Sequence, residues 1–229
     1  MLLAGTTGGE ICVFSISQKL YRASMPLTSN GTLCGCVLGD MLFVGGGDGK
    51  VKKVNLAGGQ WTLTHEAQLD SRVLSMNLSN DQKEIIVGTE GGKIYRVLTT
   101  DLSFLLHSDA HIAAVNGLSF GADSNTFLSA DETGALKMWD LSEYKCLFTG
   151  APARASPAST LCFARDDNTT LVGYRDGCIR GFDTISAKAQ LWEISNAHRG
   201  AVTALYADAN YILSGGQDGA VRVWNRKTH

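Results

Sequence analysis

Short apolar stretches of about five residues alternate with polar turns along the whole chain. In six places such a stretch leads into a turn that ends in glycine, and a second short stretch follows it. No segment of ten or more residues shows the 3.6-residue apolar period of a helix, so the pattern predicts strands joined by hairpins and almost no helix. The six hairpin segments are 2–14, 42–54, 86–97, 127–139, 171–182 and 212–224.

The hairpins recur at a nearly constant interval, because successive turn glycines lie 40 to 43 residues apart. A further apolar stretch precedes most hairpins, as 73–78 does, and another follows, as 146–148 does. Four strands in each period near 42 residues are typical of propeller blades rather than of an α-solenoid. The sequence therefore predicts an all-β propeller segment. Its turn glycines are Gly9, Gly49, Gly92, Gly134, Gly177 and Gly219.

The residue before each turn glycine indicates the turn type. Asp-Gly or Gly-Gly stands in five of the six turns, and these pairs suit the positive φ of a two-residue type I′ turn. Thr133 precedes Gly134 in the remaining turn and suits a type I′ turn least. We therefore expect type I′ hairpins, with a different turn at Thr133.

The end blades are predicted to be incomplete. The first hairpin begins at residue 2 and the last ends at Asn225, so the first blade lacks its upstream strand and the last lacks its downstream strand. We expect about six blades, four complete and two with three strands each, and we interpret the chain as a piece of a longer protein. The expected blades are 1–30, 31–70, 71–110, 111–152, 153–196 and 197–229.

Composition and charge narrow the functional classes. Of the 229 residues, 44% are hydrophobic and 18% charged, and the net charge is −2, so bulk charge does not favour binding to nucleic acid or to a membrane. No apolar run approaches the length of a membrane span, and the start of the chain lacks the features of a secretory signal. The six cysteines form no C-x-x-C pair, and because no secretory signal is evident we expect reduced thiols and a cytoplasmic protein.

Two segments resemble WD40 repeats, namely 110–140 and 197–224, with a histidine before the first strand and a tryptophan that ends the third. The resemblance extends over essentially the whole chain through its period. The chain is further similar to a family of WD-repeat proteins of motile cilia. That similarity is carried by VGTEGGKIYRV (87–97), VGYRDGCIRGFDT (172–184), ISNAHRGAVTAL (194–205) and LSGGQDGAVRVW (213–224).

The resemblance to the ciliary family implies a location and partners. Members are about two propellers long and lie inside the lumen of doublet microtubules. By resemblance, the partners are tubulin and other lumenal proteins of the axoneme of the cilium or flagellum. The chain would then be the middle of such a protein, with a boundary between two propellers near residues 65–72.

One set of polar residues invites two interpretations. His198, Ser214 and Asp218 could form the Ser-His-Asp set of a hydrolase. By resemblance to WD40 repeats, they form with Trp224 a buried hydrogen-bonded tetrad that ties a loop to its sheet. We favour the structural tetrad, because no oxyanion hole or G-x-S-x-G elbow is evident. A partial tetrad is expected at His111, Ser129 and Trp139, where Thr133 replaces the aspartate.

Other candidate sites are weaker. His107 and His111 have a spacing that could bind a metal on a helix, but they are expected between strands and no first shell completes them. Lys50, Lys52 and Lys53 with Arg22 form the densest basic area, either a solvated edge or a contact for an acidic surface such as tubulin. The proline-containing stretch 150–159 is expected to be a stiff linker or a loop that contacts a partner.

The sequence therefore predicts a non-catalytic scaffold that binds proteins and carries no metal and no cofactor. Within that class we favour a structural protein of the ciliary doublet microtubule. A cytoplasmic WD40 adaptor of another assembly is the first alternative. A hydrolase acting at the central channel of a propeller is the second, but no series of carboxylates or metal ligands recurs at one strand position.

Overall fold

Antiparallel hairpins form the framework of the protein in a computed structural model. The structure describes residues 1–59, 61–108, 110–121, 125–143, 145–150, 158–164, 169–183 and 190–228. The described residues form only strands, turns and one short 3-10 turn at Ala57–Gly59. They contain no helix long and apolar enough to cross a membrane.

Residues Met1–Ile112 form the first of two compact units, which holds the first three sheets in chain order. Each sheet is antiparallel, with strands in sequence order. The first sheet comprises β1 (Leu2–Gly5), β2 (Glu10–Ser15) and β3 (Leu20–Pro26). The second sheet comprises β4 (Thr32–Leu38), β5 (Met41–Gly46), β6 (Lys50–Asn55) and β7 (Thr62–Gln68). The third sheet comprises β8 (Val73–Leu78), β9 (Glu84–Thr89), β10 (Ile94–Leu98) and β11 (Phe104–Ser108).

Residues Ala113–His229 form the second unit, which holds the fourth, fifth and sixth sheets. The fourth sheet comprises β12 (Val115–Phe120), β13 (Thr126–Asp131), β14 (Leu136–Asp140) and β15 (Lys145–Gly150). The fifth sheet comprises β16 (Ala158–Ala164), β17 (Thr169–Tyr174), β18 (Ile179–Asp183) and β19 (Gln190–Ile194). The sixth sheet comprises β20 (Val202–Ala207), β21 (Tyr211–Gly216) and β22 (Val221–Asn225).

The strand count confirms the predicted fold class. Four sheets have four strands, and the first and sixth sheets have three. The first strand of a sheet contacts the first strand of the next sheet within each unit, as β4 does with β8 and as β16 does with β12 and β20. The apolar core therefore lies between successive sheets, as the alternation of apolar positions predicts for blades covered on both faces.

Between the second and third sheets the core is formed by fully buried side chains, among them Phe43, Val51, Val73 and Val87. Between the fifth and sixth sheets, Ile179 and Val202 are buried and Trp192 and Trp224 pack against them. Each fully buried large apolar side chain contributes roughly 1.5–3 kcal/mol to folding. The stability of the protein therefore rests on contacts between neighbouring sheets.

The turn type predicted from the sequence was wrong. A type I′ turn requires positive φ at both central residues, but in all six turns the residue before the turn glycine lacks it. The glycine N–H donates to the carbonyl three residues earlier, as from Gly49 to Gly46 and from Gly177 to Tyr174, both at 3.1 Å. The loop therefore has three residues and ends in a left-handed glycine, a common second class of hairpin.

This geometry explains why threonine fits before Gly134. Since only the glycine needs positive φ, the preceding position accepts ordinary residues. The Thr133 N–H donates to Asp131 Oδ1 at 2.9 Å, and its hydroxyl donates to the same oxygen at 2.5 Å. The turn at Thr133 keeps the conformation of the other turns, with Gly134 at φ 90°.

The turn glycines also join one sheet to the next. In three places within a unit the carbonyl of the turn glycine accepts a hydrogen bond from a backbone N–H in the loop that enters the following sheet. Each donor stands four residues before the first paired residue of that sheet. The donor and acceptor pairs, at 2.9–3.0 Å, are Thr28 with Gly9, Leu69 with Gly49 and His198 with Gly177.

The incoming loop leaves no room for a side chain at some of these glycines. A Cβ on Gly9 would lie 1.9 Å from the carbonyl oxygen of Thr28, and a Cβ on Gly177 would lie 2.1 Å from that of His198. Glycine is therefore required there twice, for its positive φ and for the close approach of the neighbouring backbone.

Two glycine substitutions separate these requirements. Gly219 has φ 73° and no atom within 4 Å of the position that a Cβ would take, whereas Gly177 has φ 82° and the His198 carbonyl in that space. We expect Gly219→Ala to lower the free energy of unfolding by about 1–2 kcal/mol, the cost of left-handed backbone. Gly177→Ala should cost a further ~1–3 kcal/mol for displacing the loop. Urea unfolding of both variants measures the difference, and equal losses would contradict the loop contact.

Candidate functional site

The predicted tetrad residues meet between the fifth and sixth sheets. His198 lies in the entering loop, Ser214 on β21, Asp218 in the turn and Trp224 on β22. His198 Nε2 is 2.7 Å from Ser214 Oγ, and His198 Nδ1 is 2.9 Å from Asp218 Oδ1. The indole N–H of Trp224 donates to Ser214 Oγ at 2.9 Å. The four side chains thus form one continuous hydrogen-bonded chain from turn to strand.

The donors in this chain can be assigned from its ends. The indole can only donate, so Ser214 Oγ accepts from Trp224, and the carboxylate of Asp218 can only accept from the imidazole. We therefore assign a proton to His198 Nδ1, from which it is donated to Asp218. Arg222 Nη1 lies 2.6 Å from His198 Nδ1 and 2.9 Å from Asp218 Oδ2, and its hydrogen is directed to the carboxylate because Nδ1 is already a donor.

Asp218 is the most heavily hydrogen-bonded member. Its Oδ1 accepts from the His198 imidazole and from the Ala220 N–H at 3.2 Å, and its Oδ2 accepts from Arg222 and from the Arg199 N–H at 3.1 Å. These donors, the imidazole first, hold the pKa of the Asp218 carboxyl well below its usual range. The carboxylate fixes the turn, the entering loop and β22 to one another.

The hydroxyl of Ser214 is not presented to a substrate. The side chain of His198 is fully buried and Ser214 is 1% exposed. Ser214 Oγ already has two partners, one of which is an indole donor that withdraws electron density from the oxygen. A serine nucleophile needs a free approach for the reacting carbonyl, and this arrangement does not provide one.

Gly216, which leaves room for the histidine of the tetrad, was not predicted from the sequence. A Cβ on Gly216 would lie 2.1 Å from His198 Nδ1, so the imidazole occupies the space of an absent side chain. The neighbouring Gly215 is open by comparison, with its nearest contact the Cβ of Ala204 at 3.6 Å. The Gly-Gly pair before the turn was the available signal, since only the second glycine faces the histidine.

The residues of the partial tetrad are divided between the two units. In the fourth sheet, the indole N–H of Trp139 donates to Ser129 Oγ at 2.8 Å, and both residues are buried. His111 belongs to the first unit, where its N–H binds the Gly92 carbonyl. Position 133 lacks the aspartate that the tetrad turn carries, and Asp131 supplies the carboxylate instead. Its Oδ1 accepts from the Ala135 N–H at 3.0 Å. The sequence suggested a solvated acidic turn at Asp131, but the residue is buried, with 1% of its surface exposed.

Three turns share an ion pair that was also missed in the sequence. An aspartate before the turn glycine pairs with a basic residue four positions later, as an Asp-Gly-x-x-Lys/Arg pattern. The oxygen to nitrogen distances are 3.8 Å for Asp48 with Lys52, 2.7 Å for Asp176 with Arg180, and 2.9 Å for Asp218 with Arg222.

Arg180 is the most buried of the three basic residues. Its side chain has no exposed surface, it lies 4.4 Å from the centroid of the Tyr174 ring, and its Nε donates to Glu193 Oε2 at 2.8 Å. Burial raises the pKa of Tyr174, so the phenol is neutral at pH 7. A buried arginine with two carboxylates links the turn of the fifth sheet to its outer strand.

The histidine pair does not form a metal site in the described part of the chain. No group of three or more His, Cys, Asp or Glu side chains there could hold a metal ion. The expectation that His107 lies between strands was wrong, because it belongs to β11. The register shifts there, with Ile94 opposite Ser108 and Tyr95 opposite Leu106, so His107 is the extra residue of a bulge. Burial lowers the pKa of His107.

Two of the four side chains in the basic area pair with carboxylates. Lys50 and Lys52 both pair with Glu66, and the Nζ of Lys53 donates to the Thr100 carbonyl at 2.6 Å. Arg22 lies on β3 of the first sheet, with its guanidinium bonded to Gln18. The lysines therefore tie strands together, while Lys53 and Arg22 bind neutral acceptors and keep their positive charge.

Two further predictions concern the cysteines and the linker. Burial raises the pKa of the Cys34 thiol and raises that of Cys36 to about 12, so both thiols are protonated at neutral pH and behave as small apolar residues. All five cysteines with described side chains are free. Residues 151–157 of the predicted linker 150–159 lie outside the described residues.

Comparison with known proteins defines the class. The family described as WD domain, G-beta repeat matches residues 103–140 and 190–225. The solved structure of the computationally designed Ika8 protein superimposes with a TM-score of 0.72 at 23% identity, covering 97% of this chain and 67% of that one, which supports the fold alone. Together with the blade-like sheets, these matches show WD40 repeats at residues 103–140 and 190–225 and the fold of a WD40 propeller segment.

The similarity to individual proteins is more specific. The chain is 28% identical over 230 residues to human cilia- and flagella-associated protein 52, covering 96% of this chain and 36% of that protein. It is 30% identical to the protein of the same name from Chlamydomonas reinhardtii, covering 88% of this chain and 33% of that protein. The chain therefore resembles cilia- and flagella-associated protein 52 and spans about a third of its length.

The two glycines beside the tetrad provide a matched test of the histidine's position. We expect Gly216→Ala to lower the free energy of unfolding by about 1–3 kcal/mol, because the new methyl group must displace the His198 imidazole. Gly215→Ala is the control and should cost less than about 1 kcal/mol, since its Cβ meets only ordinary contacts. Thermal unfolding followed by tryptophan fluorescence reports both, and a larger loss for Gly215→Ala would refute the placement of His198.

The depressed pKa of Asp218 predicts a pH dependence. Because the folded pKa lies below the unfolded value of about 3.9, the carboxylate's contribution is complete above about pH 4 and is lost as the pH falls through the folded pKa. Asp218→Asn should be less stable at neutral pH and should lose less further stability on acidification. Urea unfolding between about pH 7 and pH 2 measures both curves. Parallel curves for the two chains would show that Asp218 does not contribute in this way.

Proposed function

We propose that the protein is a non-catalytic WD40 scaffold that stabilises the doublet microtubules of cilia or flagella from inside their lumen. The observation that carries the proposal is the similarity to cilia- and flagella-associated protein 52 over 96% of this chain. On this proposal the partners are tubulin and other lumenal proteins of the axoneme, and the protein enters the axoneme from the cytoplasm.

The geometry of the tetrad supports the non-catalytic part of the proposal. A hydrolase would need Ser214 accessible and polarised for attack, but its oxygen is buried and hydrogen-bonded to Trp224 and His198. Buried networks of this kind hold a loop in one conformation, because any member left without its partner would incur a desolvation penalty of roughly 1–3 kcal/mol.

The packing of the sheets suits a load-bearing scaffold. The second and third sheets, and the fifth and sixth, are joined by an apolar core and by a backbone hydrogen bond that the carbonyl of the turn glycine accepts. A body held by repeated nearest-neighbour contacts keeps its loops at fixed positions, which is what a partner of a regular lattice requires.

Fractionation of motile cilia tests the proposed location. The tagged protein should remain with the doublet microtubules after detergent removes the membrane and high salt removes proteins held on the outer surface by charge. It should be released only when the doublets themselves are disassembled. A protein known to bind the outer surface is the control for the salt step.

Two outcomes would refute this placement. One is recovery of the protein in the detergent-soluble fraction, which would favour the alternative of a cytoplasmic WD40 adaptor. The other is release by salt together with the outer-surface control, which would place the protein outside the lumen.

A further inference from the structure

We propose that Asn30 is a site of spontaneous covalent modification, at which its side chain closes on the backbone of Gly31 and the ring then opens to isoaspartate. The extra backbone carbon of this product loosens the junction between the first and second sheets. This inference goes beyond the scaffold function and does not depend on it or on a ciliary location.

The first step is the chemistry of the pair Asn30-Gly31. The Gly31 nitrogen attacks the side-chain carbonyl carbon of Asn30 and a new C–N bond forms. The bond to the side-chain nitrogen breaks, and that nitrogen leaves as ammonia together with the proton of the Gly31 N–H. The product is a five-membered succinimide ring. Glycine favours this closure because it has no side chain to obstruct the attack.

Water then opens the ring at one of its two carbonyl carbons. The bond from that carbon to the Gly31 nitrogen breaks, and the nitrogen regains a proton. Cleavage at the side-chain carbonyl gives aspartate with an ordinary backbone. Cleavage at the backbone carbonyl gives isoaspartate, in which the chain runs through the former side chain and the former Asn30 carbonyl becomes a free carboxylate.

The second step is the freedom of this pair to react. Asn30 is exposed, lies outside the strands and has φ 61°. Among the described residues, the Asn30 side chain has no hydrogen-bond partner and the Gly31 N–H has no acceptor. Closure of the ring therefore breaks no hydrogen bond within the protein.

The other four pairs in which glycine follows asparagine or aspartate are constrained. Asn116 and Gly117 lie within β12, where Gly117 is opposite Ala130 of β13. In the three Asp-Gly turns the glycine N–H already donates to a carbonyl at 3.0–3.1 Å. These donors and acceptors are Gly49 with Gly46, Gly177 with Tyr174 and Gly219 with Gly216.

The exposure of Asn30 is a property of its place in the repeat. The loop that enters the third sheet lies between two sheets of four strands each, and it also exposes Asp70 and Arg72. These residues flank Ser71, which stands two residues after the N–H that binds the turn glycine, as Asn30 does. Loops at this position therefore reach solvent even between complete sheets.

The third step is the effect of the product on the junction. The Gly31 carbonyl accepts from the Gly47 N–H of the second sheet, and the Thr32 N–H donates to the Thr6 carbonyl of the first sheet, both at 2.9 Å. A Cβ on Gly47 would lie 2.0 Å from the Asn30 carbonyl oxygen, so the two backbones are in close contact. A loop lengthened by one carbon cannot keep both hydrogen bonds and this contact.

The new charge acts in the same direction. In isoaspartate the carbonyl that packs on Gly47 becomes a carboxylate. The Asp48 carboxylate already lies at this loop, because its Oδ2 accepts from the Ser29 N–H at 3.1 Å. Two negative charges near each other repel, which disfavours the closed arrangement of the loop.

Ageing of the intact folded chain at neutral pH, followed by peptide mass spectrometry, tests the site. Conversion of the amide to an acid changes the peptide mass, and chromatography separates aspartate from isoaspartate. We expect Asn30 to convert at least about tenfold faster than Asn116, because Asn116 reacts only when its strand opens. In urea the two rates should agree within about threefold, since neither asparagine is then held by structure.

Two variants test the effect on the junction. Asn30→Gly cannot form the ring and tolerates the positive φ, whereas Asn30→Asp adds a charge without lengthening the backbone. We expect the Gly47 and Thr32 amides of the isolated isoaspartate form to exchange at least about tenfold faster than those of the fresh chain. In the aged Asn30→Gly chain and in the fresh Asn30→Asp chain they should stay within about threefold of the fresh unaltered chain.

Three outcomes would overturn the proposal. Conversion of Asn30 no faster than that of Asn116 in the folded chain would remove the site. Unchanged exchange of Gly47 and Thr32 in the isoaspartate form would remove the loosening. Equal acceleration in fresh Asn30→Asp would assign the effect to charge rather than to backbone length. The comparison of rates uses the unaltered chain and stands even if a variant fails to fold.

Discussion

The structure depends on the hydrogen bond from a loop N–H to the carbonyl of the preceding sheet's turn glycine. The bond requires a turn in which the carbonyl faces the next sheet, and that turn requires a residue at positive φ with no side chain in the way. Glycine alone meets both conditions at Gly9 and Gly177. The turn glycines Gly9, Gly49 and Gly177 therefore mark junctions between successive sheets of one unit.

The tetrad is an elaboration of this same junction. The backbone of His198 binds Gly177 of the preceding sheet, while its side chain binds Asp218 and Ser214 of its own sheet. Elsewhere the junction is simpler. Thr28 adds a hydroxyl contact to the Gly9 carbonyl at 3.4 Å, and Leu69 at the equivalent position contributes its backbone and an apolar side chain. The polar network thus strengthens a joint that exists without it, which is consistent with a mechanical role.

The sequence predicted the all-β fold and the number of strands in each sheet, because both follow from local apolar alternation and a constant period. The smaller number of strands in the two end sheets was predicted by counting the apolar stretches in each period. The turn type could not be predicted in this way, because a glycine at positive φ occurs in both two-residue and three-residue loops. Only the hydrogen bond of the glycine N–H distinguishes the two kinds of loop. Similarly, the bulge that places His107 on β11 arises from a register shift with the opposite strand.

Contacts of the site could be predicted from the sequence only where they lie within a single sheet and the loop that enters it. The contacts of His198 could be proposed from the repeat pattern. The burial of Arg180 between Asp176 and Glu193, the neutralisation of Lys50 and Lys52 by Glu66, and the role of Gly216 depend on which residues face each other across strands. Such pairings require the register, and local sequence does not specify it.

Amide hydrogen exchange at the junctions tests the central claim most directly. The N–H groups of Leu69 and His198 lie in loops, where exchange is ordinarily fast, yet each donates to a turn-glycine carbonyl. We predict that these amides exchange as slowly as those in the middle strands of the neighbouring sheets. Exchange as fast as that of exposed loop amides would show that the sheets are held together by side-chain packing alone, and would contradict the central role of the glycine junction.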